Sequence, residues 1–329
     1  MADRVAVLAM TYGEIEDYDE FDEYNERSIR LLVSKTVSFP EWVIPRMSRL
    51  LGRRARKEWE SHGHFESPNN AIFERQCAGL AQRLAEAYGD RVGVFKAYNF
   101  CPPDLPEQVV PRIREAGYDG LLVYPLEVVD GVFTGGLALE QVNEAVGDGS
   151  WIDDFRYLPT FAQRDDFQSL LVDHIERGIA GLRDRYYPGH IGIVLLLHGL
   201  PLSAKGWETG QADSERLYEA VRDRLVHRYP LISPGWMNHP TPGKWTSPDM
   251  ETASRQLITL GAKALVYVPI GFVTDNHETL LDVDHVGDEV KDRVEILHLP
   301  SLNDDPAFLD AAAGWVRPLI DEMLGGSGG

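Results

Sequence analysis

The chain has 329 residues, 43% of them apolar and 26% charged, with a formal net charge of −20; this length suits two domains or one large α/β unit. An acidic surface argues against a nucleic-acid partner, which needs basic groups to meet phosphates, and no run approaches the roughly 18 apolar residues of a membrane-spanning helix. Two cysteines, Cys77 and Cys101, at no metal-ligand spacing, disfavour a disulfide framework, a structural zinc site and an iron–sulfur cluster held by four thiolates.

In chain order, Met-Ala-Asp-Arg passes straight into an apolar strand, Val5–Met10, with no basic, apolar and small-residue leader. That start reads as a cytoplasmic chain. The strand runs into Tyr12-Gly13. A phenol at a strand's carboxyl end could donate to or weakly ligate a bound group; packing on the sheet is the alternative. Residues 29–59 then break the α/β pattern. Leu31, Leu32, Val33, Val37, Phe39, Trp42 and Leu50 are interleaved with Arg30, Lys35, Arg46, Arg53 and Lys57. An apolar, aromatic insertion with a basic rim suits a flat apolar ligand carrying carboxylates at its edge; an amphipathic helix pair capping a sheet fits equally. His62-Gly-His64 could bind a metal but has no acidic or thiol neighbours at ligand spacing.

Ser67-Pro68 pairs a capping residue with a proline at a first helical position and opens a helix that stops at Gly89. Strands follow at Val92–Tyr98 and Gly120–Tyr124, with helices over roughly 105–116 and 136–146. Gly131–Gly136 is a weak candidate for an anion cradle and matches neither a P-loop nor a dinucleotide fingerprint. The domain boundary falls near Pro159–Arg164, followed by a helical pattern over 165–186.

The second half opens with strand Ile191–Leu197, ending in His198-Gly199. A neutral imidazole there can take a proton near pH 7 or offer a lone pair to a metal, and the glycine lets a ligand approach the backbone. A core histidine satisfied by a carbonyl is the alternative. Trp236 and Trp245 lie in GWMNHPTPGKWTSPDM, read as a loop whose tryptophans wall an apolar pocket, with His239 and Lys244 as its polar residues. Strand Ala264–Val268 opens into PIGFVTDNHETLLDVD. A helix starting near Asn276 places Glu278 and Asp282 one turn apart on one face, as a hard oxygen site for a divalent cation or as proton-handling groups. Asp275 reads as the N-cap. Strand Val294–His298, a helix over 306–324 and a flexible tail, 326–329, complete the chain.

Strands alternating with helices predict a doubly wound α/β architecture. An internal echo refines it. Gly117–Pro125, GYDGLLVYP, resembles Gly261–Pro269, GAKALVYVP, and Val7–Gly13 echoes Val194–Gly199. Two similar halves, 1–160 and 161–325, would thus face each other across a cleft, with Tyr12, His198 and the 270–284 segment at the carboxyl ends of parallel strands.

These segments together resemble the ferrochelatase family over most of the chain. VYVPIGFVTDNHETLLDVD is similar to its strand, proline and phenylalanine followed by Asp-His-x-Glu-x-Leu. LLHGLP resembles its Ala-His-Ser-Leu-Pro, and VLAMTYGE its Leu-x-x-x-Tyr-Gly-x-Pro opening. GWMNHPTPGKWTSPDM resembles its Gly-Trp-Gln-Ser…Trp-x-x-Pro loop, and Phe65–Asn69 stands where the family has Gly-Gly-x-Ser-Pro. The resemblance implies two Rossmann-like domains with parallel sheets flanking a porphyrin cleft, 29–59 being its lip. It implies a lyase of haem biosynthesis that inserts ferrous iron into coproporphyrin III or protoporphyrin IX. Iron is then a substrate, no cofactor is permanently bound, and the compact bacterial forms suggest a soluble monomer. His198 and Glu278 would be the central catalytic and metal pair on opposite sides of the macrocycle, and Tyr12 and Asp282 would line the metal's path. Tyr12, Arg30, Arg46, Arg53, Trp236 and Trp245 would contact the porphyrin. This chain departs from the pattern at Gly199, Asn276, Met237 and Asn238. Insertion of cobalt or nickel into another tetrapyrrole, and haem or porphyrin binding without turnover, stay open as alternatives.

Overall fold

The strand β1 (Val5–Thr11), VAVLAMT, is buried along its whole length. A strand covered by helices on both faces of a parallel sheet reads as such an unbroken apolar run. The computed structural model describes residues 1–36, 40–202, 208–238 and 244–325, with only the backbone described at 32–36 and 41. Val37, Phe39, His239 and the predicted tail 326–329 lie outside the described residues, as do the side chains of Leu32, Val33 and Lys35.

The chain divides into two units: Met1–Leu126 with Gly131–Pro159 and Ala312–Gly329, and Glu127–Asp130 with Thr160–Ala311. Unit 1 contains, after β1, α1 (Phe21–Thr36), α2 (Ile44–Ser61), α3 (Asn69–Tyr88), β2 (Val92–Tyr98), α4 (Pro106–Glu115), β3 (Gly120–Pro125), α5 (Gly135–Val146) and β4 (Asp154–Tyr157). Its strands pair in parallel in the order β2-β1-β3-β4. Leu8, Met10, Leu121 and Val123 pack on one face against Val109 and Ile113 of α4 and Val142 of α5. Both cysteines are buried in this unit, and their burial pushes the thiols up to about 12.

Unit 2 contains α6 (Asp165–Gly178), α7 (Ala180–Arg183), β5 (Ile191–His198), α8 (Gln211–Leu225), β6 (Leu231–Met237), α9 (Met250–Thr259), β7 (Ala264–Pro269), α10 (Val283–Val290), β8 (Glu295–His298) and the start of α11 (Pro306–Met323). The sheet repeats the first topology, β6-β5-β7-β8, all parallel. The predicted echo occupies equivalent places in the two sheets. Met10 pairs with Pro125 and Leu196 with Pro269, at the carboxyl ends of the central strands. Gly117 and Gly261, which precede β3 and β7, have φ of +76° and +108°, a region L-residues with side chains rarely adopt.

Two strands, β4 and β6, were not predicted. Each lies at a sheet edge. β4, DFRY, is short and charged, and β6, LISPGWM, carries a proline that only an edge position tolerates. The last helix also departs from expectation. From Ala312 the chain belongs to unit 1, where Met323 O accepts the Ala2 N–H at 2.9 Å and Asp321 accepts the Tyr88 hydroxyl at 2.8 Å. Among the described residues no helix is long and apolar enough to cross a membrane.

The insertion predicted over 29–59 is a helix pair, α1 and α2. The buried stripe of α2 is Ile44, Ser48, Gly52 and Trp59. A Cβ at Gly52 would meet the Asn25 amide of α1 at 3.2 Å, so the two helices pack closely there. Trp59 makes edge-on contacts with Phe21 at 5.2 Å and Phe65 at 5.1 Å. Trp42, in the turn before α2, and Leu50 and Leu51 of α2 are exposed by 67%, 71% and 37%.

Trp59→Ala is expected to cost about 3–5 kcal/mol locally; hydrogen exchange should show lost protection in α1 and α2 with β1 unaffected. At pH 8 a thiol titrating near 12 is thiolate in only about one molecule in ten thousand. Native protein should therefore resist a thiol-specific disulfide reagent that modifies both cysteines rapidly in denaturant.

Candidate active site

His198 ends β5: seven buried residues lead to one exposed residue. Its side chain keeps 45% of its surface, whereas that of Glu278 keeps 10%. His198 Nε2 lies 3.6 Å from Glu278 Oε1. This exceeds a hydrogen bond but lies within ion-pair reach once the imidazole is protonated. The expectation that the two flank a macrocycle from opposite sides fails on this distance. Stacking on both faces of a flat ring needs about 7 Å between the flanking groups. The two residues are instead neighbours within one unit.

Local sequence explains how Glu278 is held. Asn276 caps the following helix: its side-chain oxygen accepts the Thr279 N–H at 2.9 Å, and Thr279 Oγ1 accepts the Asn276 N–H at 2.9 Å. This is the reciprocal arrangement of a capping box. Asp275, predicted as the cap, has another task. It accepts the Ser301 N–H and the Asn303 side-chain amide, each at 2.7 Å, while Asn303 Oδ1 accepts the Asp275 N–H at 2.8 Å. The Asn303 N–H also donates to Val273 O at 2.8 Å. Asn303 holds φ of +51°, which asparagine tolerates better than most residues. The loop after β8 thus clamps the loop that carries Glu278. Burial lowers the pKa of His298, at the end of β8, against the opposing pull of Asp275 and Asp284.

Glu278 itself begins a π-helical turn, Glu278–Asp282, a geometry frequent at functional sites. The wider winding keeps partly exposed Asp282 near the face of Glu278. Val286 follows, packed on the unit's apolar core, so no further acid extends that face.

Gly199 is fixed by its surroundings. Its N–H donates to Met237 O at 2.9 Å, and a Cβ would lie 2.5 Å from that oxygen and 2.6 Å from the Asn238 Cα. This accounts for glycine where the ferrochelatase motif has serine. Leu200 N donates to Thr246 Oγ1 at 3.1 Å, Thr246 N to Leu200 O at 3.0 Å, and Pro201 bridges Trp245. Trp236 belongs to β6, not to a loop, and is 3% exposed; it fills the edge of the sheet rather than a pocket wall. Trp245 is partly exposed beside the strap that follows His198.

In unit 1, Tyr12 directly follows β1. Its hydroxyl donates to Glu14 Oε1 at 3.0 Å and accepts from Asn69 Nδ2 at 3.3 Å. Ser67 donates to the other oxygen of Glu14. The two motifs compared with the family here, TYGE and FESPN, therefore meet at one carboxylate, which was not predicted as a site residue. An acid one residue past a strand-end glycine was its visible signal. Arg30 pairs with Glu26 at 2.9 Å on the surface of α1. Arg46 lies over the Trp42 ring at 5.5 Å, and Arg53 is exposed on α2.

Two weaker candidates resolve locally. His62 Nδ1 contacts Glu58 O at 2.9 Å, and His64 packs edge-on against Tyr18. Gly131 O accepts the Thr134 and Gly136 N–H groups, so the supposed anion cradle spends those donors on itself. Among the described residues, no group of three or more His, Cys, Asp or Glu side chains is arranged to hold a metal ion.

The chain matches the ferrochelatase family profile over residues 4–319. It is 26% identical to a ferrochelatase of Rippkaea orientalis, over 97% of this chain and 84% of that protein. It is 25% identical to a ferrochelatase of Geotalea uraniireducens, over 97% and 99%. Among solved structures, SirB from Bacillus subtilis with Fe3+ superposes with a TM-score of 0.55 at 10% identity, covering 95% of this chain and 94% of that one. DR2241 from Deinococcus radiodurans, described as similar to chelatases with two additional domains, superposes with a TM-score of 0.53 at 13% identity, over 99% of this chain and 56% of its own.

Gly199→Ser, which installs the motif's residue, is expected to destabilise the protein by about 1–3 kcal/mol through overpacking against backbone. Thermal unfolding would register the loss, and an unchanged midpoint would show that the strap yields.

Proposed function

The chain belongs to the ferrochelatase family, and from that premise we propose how its own residues carry the insertion of ferrous iron into a porphyrin. The enzyme is a lyase of haem biosynthesis. In the net reaction, bonds form from the metal to the pyrrole nitrogens as two N–H protons depart, with no change in oxidation state, so the reaction calls on no resident cofactor. Its compartment is the cytoplasm, in keeping with two free, buried thiols.

One observation carries the assignment of roles: a half-exposed imidazole 3.6 Å from a buried carboxylate. His198 Nε2 accepts a pyrrole proton, and Glu278 Oε1 stabilises the imidazolium and draws the proton onward. Asp282, next on the same turn, leads it toward solvent. Before it takes the proton, His198 Nε2 with Glu278 offers the incoming dication a nitrogen and an oxygen donor in place of part of its hydration shell, leaving its other positions to the ring nitrogens. In unit 1, the Tyr12 phenol oxygen is a further donor suited to a divalent metal.

The exposed apolar and basic face of α2 and the turn before it meets the ring's edge. Trp42, Leu50 and Leu51 offer apolar surface, and Arg46 and Arg53 offer guanidinium groups suited to carboxylates. Arg30, already paired with Glu26, contributes less. Coproporphyrin III, with four carboxylates, uses this basic face more fully than protoporphyrin IX, with two.

His198→Ala and Glu278→Gln are each expected to lower kcat by about a hundredfold or more. Anaerobic mixing with Fe(II) and porphyrin, followed by absorption spectra, measures this, and fluorescence quenching should find porphyrin affinity within about threefold of the parent. A His198→Ala variant that turns over at the parental rate overturns the assigned roles.

A further inference from the structure

Glu14 occupies the open position of the Tyr-Gly-x-Pro motif. It is 2% exposed, and a carboxylate so buried is costly unless hydrogen-bonded. Its bonds are built from several parts of unit 1. Asn70 accepts the Glu14 N–H at 2.9 Å and donates to its carbonyl at 2.6 Å, and the Cys101 thiol donates to the same carbonyl at 3.3 Å. Ser67 and Tyr12 donate to the carboxylate. Gly13, with φ of +76° and a would-be Cβ only 2.8 Å from the Tyr98 ring, makes the turn that brings the acid beside the phenol two residues before it.

This arrangement has a chemical consequence for Tyr12. A phenol has one proton to donate, and here it goes to Glu14. Any other partner of the phenol oxygen must therefore be a donor or a cation; Asn69 Nδ2 is one such donor. A phenol whose proton is drawn toward a carboxylate is also a stronger electron-pair donor. We propose that Glu14 is a positioning residue that presents Tyr12 as an oxygen donor toward the divalent metal. This rests on the reading of Tyr12 as a metal contact. The competing role for Glu14 is structural, tying β1 to the start of α3.

The experiment uses the full chain labelled with 13C at the tyrosine Cζ, the Tyr12 resonance being assigned by its absence in Tyr12→Phe. Zn(II), redox-inert, is titrated alone. In the parent the Tyr12 resonance should shift with Zn(II), and in Glu14→Gln the midpoint should rise about tenfold. In the insertion assay the same variant should raise KM for Fe(II) about tenfold and leave KM for porphyrin within about twofold. Glu14→Asp, which keeps the charge and shortens its reach, should show the same changes in smaller measure and serves if Glu14→Gln does not fold. A parental Zn(II) midpoint in folded Glu14→Gln, or in Glu14→Asp where Glu14→Gln does not fold, overturns the role of Glu14 and leaves Tyr12 as a metal contact. A Tyr12 resonance indifferent to Zn(II) in the parent removes both readings.

Discussion

An imidazole and a carboxylate held 3.6 Å apart set the demands that the rest of unit 2 meets. The imidazole must reach solvent, so it stands at the point where a buried strand leaves its sheet. The carboxylate must stay nearby although its burial costs several kcal/mol. Neither requirement is met by the residue alone. His198 is held because Gly199 lets the chain pass against the backbone of Met237 and Asn238. Glu278 is held because Asn276 caps its helix and Asp275 is tied to Ser301 and Asn303. Remove the clamp and the acid would be free to swing toward water, where its attraction for the imidazolium is screened.

The same strand order serves both units, and a polar ring residue stands at the carboxyl end of the first strand in each. In unit 2 that end is His-Gly and in unit 1 it is Tyr-Gly. The central strand is flanked on both sides by parallel neighbours, so its end is fixed by two ladders of hydrogen bonds. A side chain placed there inherits the rigidity of the sheet, which catalysis needs more than it needs any particular loop. In each unit an acid stands beside that strand-end residue: Glu14 beside Tyr12, and Glu278 beside His198.

The α1–α2 pair answers a different requirement. The chain is acidic overall, yet α2 gathers arginines around exposed leucines, next to the exposed Trp42 of the preceding turn. Gly52 on its buried stripe lets it lie close to α1, while Ile44 and Trp59 pack inward and Leu50 and Leu51 face outward.

The sequence by itself determined the α/β class, six of the eight strands among the described residues and the internal repeat, and it singled out His198, Glu278 and Tyr12 as candidates. These rest on short-range signals: apolar runs long enough for a parallel strand, glycines that end helices, and polar residues at strand ends. The two missed strands lie at sheet edges, where pairing with a neighbour, not local composition, makes DFRY and LISPGWM extended. Tertiary structure alone decided that His198 and Glu278 are neighbours, that Trp236 is buried in a strand, that Asn276 rather than Asp275 caps the helix, and that Glu14 accepts the Tyr12 proton. Each of these depends on contacts between segments distant in sequence or on the sub-ångström path of the backbone. Residue order does not encode such geometry until the sheets have formed.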